Sequence, residues 1–179
     1  ALSALAKGSI DAFVTSGEKL TSSGGVATFG LKNLDTVGTR PFSVAMDVSF
    51  LPGAGFQEAG FKFHGAQDLQ IAVAPQSALS ALVVISREGT PLGTCEVSYD
   101  SLGIRARLDV ELRPATGTLE VRDALGALQL TVTTTLASSY TVDAFVTPYA
   151  FLDNITLFDS AEDGVTPQGI VFYNDAQGV

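Results

Sequence analysis

Tryptophan is absent from this sequence, and cysteine, histidine and methionine occur once each, as Cys95, His64 and Met46. A lone cysteine rules out an intrachain disulfide, and most such thiols serve as small buried hydrophobes. With one histidine, no metal centre built on several imidazoles can form. A Ser/His/Asp triad lacks its nucleophile elbow, because Gly-x-Ser-x-Gly does not occur. Nor does a glycine-rich phosphate loop ending in Gly-Lys-Ser/Thr. Charge is scarce too: 16% of the 179 residues are Asp, Glu, Lys or Arg, against about 25% in ordinary soluble domains. The mean hydropathy of +0.30 agrees. A chain so poor in charge must cover its surface with Ser, Thr, Ala and Gly, or expose apolar groups for a partner to cover.

What charge there is has one sign. Nineteen acidic residues against ten basic ones give a net charge of −9. Nucleic acids and anionic membranes recruit clustered positive charge, so neither is an expected partner. No run of about twenty apolar residues is present to span a bilayer as a helix. The opening Ala1-Leu2-Ser3-Ala4-Leu5-Ala6-Lys7-Gly8 lacks a basic segment followed by a longer apolar run, so it does not read as an intact signal peptide.

The dominant positive signal is alternation with period two, which marks strands with one buried face. In 41–50, Phe42, Val44, Met46, Val48 and Phe50 point one way. In 104–113, Ile104, Ala106, Leu108, Val110 and Leu112 share a face, and Arg105, Arg107, Asp109, Glu111 and Arg113 share the other. A helix would scatter those charges around its circumference; a strand collects them. The same pattern predicts strands at 61–64, 69–73, 82–86, 94–99, 119–122, 128–134, 140–146, 151–158 and 170–173, with weaker ones at 10–15 and 26–31. Gly and Pro punctuate these runs at 51–55, 87–91, 114–117 and 123–126, as tight turns require. Short helical pieces are expected only at 1–7 and 76–81. About thirteen strands at regular spacing predict an all-β, antiparallel two-sheet jelly-roll sandwich. It reads as one domain over residues 1–179, with 160–179 as a C-terminal arm or added edge strand. The pentapeptide Asp-Ala-Phe-Val-Thr occurs at 11–15 and again at 143–147 with no similarity around it, so it signals no repeat architecture.

The order of the second half is an alternating strand over 105–112, Pro114-Ala115-Thr116-Gly117, a strand over 119–122, the turn 123–126, and a strand from Leu128. It closes on Tyr149-Ala150-Phe151-Leu152-Asp153-Asn154-Ile155-Thr156-Leu157-Phe158. This resembles the concanavalin A-like lectin/glucanase superfamily, including its laminin G-like jelly rolls. The resemblance extends over most of residues 10–160 and implies two curved sheets with a concave face that binds or cleaves glycans.

Each implied activity needs particular residues. Retaining glucanases of this superfamily carry Glu-x-Asp-x-x-Glu or a close variant on one strand face, with two carboxylates about 5 Å apart. The corresponding strand here reads Arg107-Leu108-Asp109-Val110-Glu111-Leu112-Arg113, with arginines flanking two acids. Arginine holds a neighbouring carboxyl ionised, against the need of a general acid. That strand therefore reads as a charge-paired, solvated face, and no catalytic residue is expected. The resemblance also implies a rim site for Ca²⁺, for which Asp153, Asn154 and Asp159 are the candidate ligands, with Glu162 and Asp163 nearby. The alternative for Asp153-Asn154 is local hydrogen bonding to backbone. Glycan binding favours stacking on Trp or Tyr; only Tyr99, Tyr140, Tyr149 and Tyr173 are available.

Taken together, low charge and missing catalytic groups predict a non-enzymatic structural protein that packs against copies of itself or a capsid or tail scaffold. The expected setting is a virion surface assembled in a host cytoplasm. The alternative is a carbohydrate-binding or adhesion module of a secreted or cell-surface bacterial protein. No cofactor other than Ca²⁺ is implied.

Overall fold

The computed structural model describes residues 13–16, 19–35, 41–100, 105–137, 139–160 and 167–173. Its first seven strands are β1 (Phe13–Ser16), β2 (Lys19–Ser22), β3 (Ala27–Asp35), β4 (Phe42–Phe50), β5 (Ala59–His64), β6 (Leu69–Pro75) and β7 (Ser80–Arg87). Seven more follow: β8 (Thr90–Ser98), β9 (Arg105–Arg113), β10 (Thr118–Arg122), β11 (Leu128–Thr133), β12 (Ser139–Val146), β13 (Ala150–Ser160) and β14 (Pro167–Tyr173). Among the described residues there is no helix. The strands form two antiparallel sheets. One runs β1-β2-β13-β4-β9-β10-β11 with β14 also on β13, eight strands in all; the other, of six, runs β3-β12-β5-β6-β7-β8. The all-β jelly-roll sandwich expected from alternation is the fold observed.

The inward phase is the one the sequence predicts. Val44, Met46 and Val48 of β4 meet Ala106, Leu108, Val110 and Leu112 of β9 on the core side, and Phe61, Phe63, Ile71, Val83 and Ile85 come from the facing sheet, all buried. Phe63 sits at the centre, edge-on to Tyr140 at 5.9 Å. Each such ring contributes about 2–3 kcal/mol through burial. The register of β4 on β9 (Val44↔Val110, Met46↔Leu108) cannot slip by one residue without turning this entire set to water.

Two details differ from expectation. Residues 76–79 form a turn and not a helix. The Ser77 hydroxyl accepts the N–H groups of Leu79 (3.1 Å) and Ser80 (3.2 Å), replacing the bonds a helix would make. The 87–91 punctuation narrows to Glu88-Gly89, both at positive φ (48° and 78°), so that Pro91 lies within β8. Proline is tolerated there because β8 is an edge strand, and a register shift at Ile85/Ser86 absorbs it. His64 ends β5, which is flanked by β12 and β6. The segment 1–7 lies outside the described residues. Within the C-terminal segment, β14 pairs with β13 of its own chain, from Ser160↔Pro167 to Ile155↔Tyr173.

All pairings are antiparallel, so the connections from even- to odd-numbered strands collect at one end of the sandwich and the others at the opposite end. Hydrogen bonds tie the first group together. The Leu51 N–H donates to the Tyr149 carbonyl (2.9 Å), that of Tyr99 to the Leu79 carbonyl (2.9 Å), and the Thr21 hydroxyl to the Ala150 carbonyl (2.7 Å).

Candidate functional site

The two ends differ in chemistry. Where side-chain burial is described, every exposed large hydrophobic lies at the even-to-odd end: Val26 after β2, Leu51 and Phe56 after β4, Leu79 after β6. Leu125 and Leu128 flank the turn after β10, and Tyr149 follows β12. These side chains are 45–94% exposed. Turns at the opposite end carry Gly65, Asp68, Glu88, Gly89, Pro114 and Thr116.

The apolar end is rigidly built. The Gln57 side chain is buried and bonds the Leu51 backbone twice: Oε1 accepts its N–H and Nε2 donates to its carbonyl, both at 2.8 Å. That clamp closes the loop 51–57, with Gly53 at φ 76° supplying the turn, and fixes Phe56 outward. In the turn Thr147-Pro148-Tyr149-Ala150, the Ala150 N–H reaches the Thr147 carbonyl (3.3 Å). Tyr149 occupies the third position at φ 67°, where glycine is the usual residue. A bulky side chain held in the left-handed region and exposed to water costs about 1–2 kcal/mol that the fold does not need.

Two cavities open at this end, one on each side of Tyr99. The first, of about 590 Å³, lies between loop 50–57 and turn 74–78 and is lined by Phe50, Leu51, Pro52, Phe56 and Gln76, with no charged side chain. The second, of about 430 Å³, is lined by Asp47, Asp100, Arg105, Arg107, Asp123 and Leu125. Tyr99 lines both. Burial raises the Tyr99 hydroxyl above its ordinary pKa, so the ring stays neutral.

The floor of the second cavity is a polar cluster on the outer face of the larger sheet. Arg107 of β9 donates to Asp47 Oδ1 (3.3 Å), the Asn154 carbonyl (3.0 Å) and Thr156 Oγ1 (3.4 Å). The Asn154 amide donates to the other Asp47 oxygen, and Asp153 Oδ1 accepts the Asn154 N–H (2.8 Å). Asn154 sits at φ 48° in a bulge that shifts register between Asp153 and Thr156. The bulge lets Leu152 and Ile155, three positions apart, both enter the core. Arg105 bridges Asp47 (3.6 Å) and Asp100 (3.4 Å) with its side chain half exposed, leaving donors toward the cavity.

Of the three residues proposed from sequence as Ca²⁺ ligands, Asp153 and Asn154 meet at this cluster. Asp159 lies six positions along β13, opposite Phe42, roughly 20 Å away; Glu162 and Asp163 lie outside the described residues. The Arg107 guanidinium donates to the Asn154 carbonyl there, and among the described residues no group of three His, Cys, Asp or Glu is arranged for a metal. Asp153-Asn154 does bond local backbone, the alternative reading, but inside a strand and not at a turn.

On the charged face of β9, Arg105, Arg107, Glu111 and Arg113 are all ion-paired. Arg113 lies 3.0 Å from Glu111 and 3.5 Å from Glu120, and Arg122 lies 3.0 Å from Glu120. Glu111 and Glu120 stand directly opposite in register and share Arg113. Burial raises the Asp109 pKa against the pull of Arg107 and Arg122. Elsewhere, burial pushes the Cys95 thiol up to about 11, which keeps it protonated and unreactive at neutral pH. His64, at the other end, meets Asp143 (2.9 Å) and Asp68 (3.6 Å) beside a polar cavity of about 530 Å³.

Sequence reasoning named Tyr99 and Tyr149 only among the four tyrosines available for stacking, and it missed the apolar end. The exposed residues are scattered from 26 to 149, and only the alternation of strand direction brings them together.

No family model matches the sequence, and neither does any curated protein. Solved structures do match in fold. The chain is similar to the carbohydrate binding module CBM66 from Bacillus subtilis, at 12% identity over 81% of this chain and 89% of that one, with a TM-score of 0.55. It is also similar to the CBM2 module of the evolved Dit of Lactobacillus casei BL23 phage J-1, at 11% identity over 82% and 78%, with a TM-score of 0.54. The carbohydrate recognition domain of Emp46p in its potassium-bound form matches at 9% identity over 78% and 82%, with a TM-score of 0.57. The likeness shows the fold, an antiparallel jelly-roll sandwich, in keeping with the concanavalin A-like resemblance of the sequence.

Proposed function

We propose that this chain is a glycan-binding module whose ligand docks on the apolar end of the sandwich. One observation carries the reading: exposed aromatic and aliphatic side chains and two cavities gather at a single loop end, with arginine and carboxylates beside them. Sugars need that mixture, flat apolar faces for their C–H surfaces and planar polar groups for their hydroxyls. Three solved structures of similar fold that bear carbohydrate-binding names support it. Binding without hydrolysis is supported by the arginine pairing of Glu111 and Glu120. A glycan array probed with and without Ca²⁺ tests this. Signal for at least one glycan class is expected, and it should vanish in a Phe56→Ala, Tyr149→Ala double variant. Silence across the array for the wild type would sink the proposal.

A second reading, a virion or cell-surface assembly protein, is favoured by the aliphatic part of the same end, Val26, Leu51, Leu79 and Leu125, which proteins cover more readily than sugars do. Light scattering after size exclusion checks it: self-association reversed by Leu79→Ser supports assembly, and a monomer at high concentration counts against self-assembly.

A further inference from the structure

We infer that the two cavities flanking Tyr99 form one groove and that the ligand is a linear, uncharged oligosaccharide bound across it, not a single terminal sugar. This rests on the glycan-binding reading and specifies its substrate class. The cavities lie at the same end of the sandwich and share a wall to which Tyr99 contributes. That wall is fixed: the Tyr99 N–H is bonded to the Leu79 carbonyl, and its ring packs partly against the core. At about 590 and 430 Å³ each cavity already has the size of a small-ligand site, so together they exceed what one sugar ring can fill.

The chemistry of the two halves differs in a way that suits a chain. The first half offers Phe56 and Leu51 and no charge, a surface for the apolar face of sugar rings. The second offers Arg105 between Asp47 and Asp100, donors and acceptors for vicinal hydroxyls. Three carboxylates (Asp47, Asp100, Asp123) face two arginines there, and Arg107 is committed to Asp47, Asn154 and Thr156. Such a lining repels uronic and sialic acids and accepts neutral sugars. Tyr99, neutral and central, is the platform on which the chain crosses from one half to the other.

Calorimetric titration with cello-, laminari-, manno- and xylo-oligosaccharides, from monosaccharide to hexasaccharide, tests the inference on the intact chain. In the series that binds, affinity should rise about tenfold or more between disaccharide and hexasaccharide. Phe56→Ala and Arg105→Ala, exposed positions at opposite ends of the groove, should each weaken the hexasaccharide. Only one of them should alter the disaccharide. Tyr99→Phe should retain the gain with length, whereas Tyr99→Ala, checked for folding by circular dichroism, should abolish it. If a monosaccharide binds as tightly as the hexasaccharide, or if only one of Phe56 and Arg105 matters at every length, the groove is overturned while glycan binding stands. If no saccharide of any length binds in these series or on the array, both fail together.

Discussion

Tyr149 combines three properties that stability alone does not call for: a left-handed backbone, a bulky aromatic side chain and exposure to water. Asparagine tolerates that backbone far better. Tyr149→Asn is therefore expected to raise stability by about 0.5–1 kcal/mol in urea unfolding while weakening ligand binding. A fall in the unfolding midpoint would show that the ring contributes more to the fold than its exposure suggests. Asp109 gives the second residue-scale prediction. Burial raises its pKa in the folded protein above the ordinary carboxylate value, and Arg107 and Arg122 offset only part of this. The stability it contributes is complete below the ordinary value and is lost as pH rises through the raised one. Asp109→Asn should thus flatten the pH dependence just above the ordinary carboxylate range and leave the protein slightly more stable at pH 7. Loss of stability at pH 7 would mean that the arginines dominate.

At the scale of elements, the strands readable in the sequence were those long enough to alternate. β4 and β9 show four or five apolar positions on one face and were placed within a residue of where they lie. β2, with four residues and Leu20 as its single large apolar side chain, offers no period to read. The start of β8 was hidden by Pro91, a breaker in a central strand but acceptable at an edge. The β13 bulge was invisible for a different reason. Asp153-Asn154 carries the same letters as a turn, and its placement inside a sheet depends on Asp47 and Arg107, which come from other strands. β5 yields the element-scale prediction. A Cβ on Gly60 would lie 1.9 Å from the Ile71 carbonyl oxygen, a backbone atom that cannot rotate away. Gly60→Ala should therefore cost more than about 3 kcal/mol by forcing β5 from β6, seen as a lowered thermal midpoint. An unchanged midpoint would place that strand pair differently.

For the whole molecule, low charge and high hydropathy left two surfaces open, one of Ser, Thr, Ala and Gly and one with apolar groups for a partner, and composition has no direction in space. The structure supplies it: exposed apolar side chains sit at one end, while the paired charges of β9 and β10 cover a sheet face. Charge pairing along that face was legible from 104–113 alone, because a two-residue period fixes which side chains share a side. The apolar end was not, since each of its loops contributes one or two residues and none is unusual by itself. The chain's central property is therefore this asymmetry between ends. It is tested most directly by amide chemical-shift mapping of the labelled protein during titration with its best array ligand. Perturbations are predicted for residues 50–57, 75–79, 98–100, 105, 123–125 and 147–149, with none at 65–68, 88–89 and 114–117. Shifts confined to the latter turns, or to the charged face at Glu111, Arg113 and Glu120, would contradict the account.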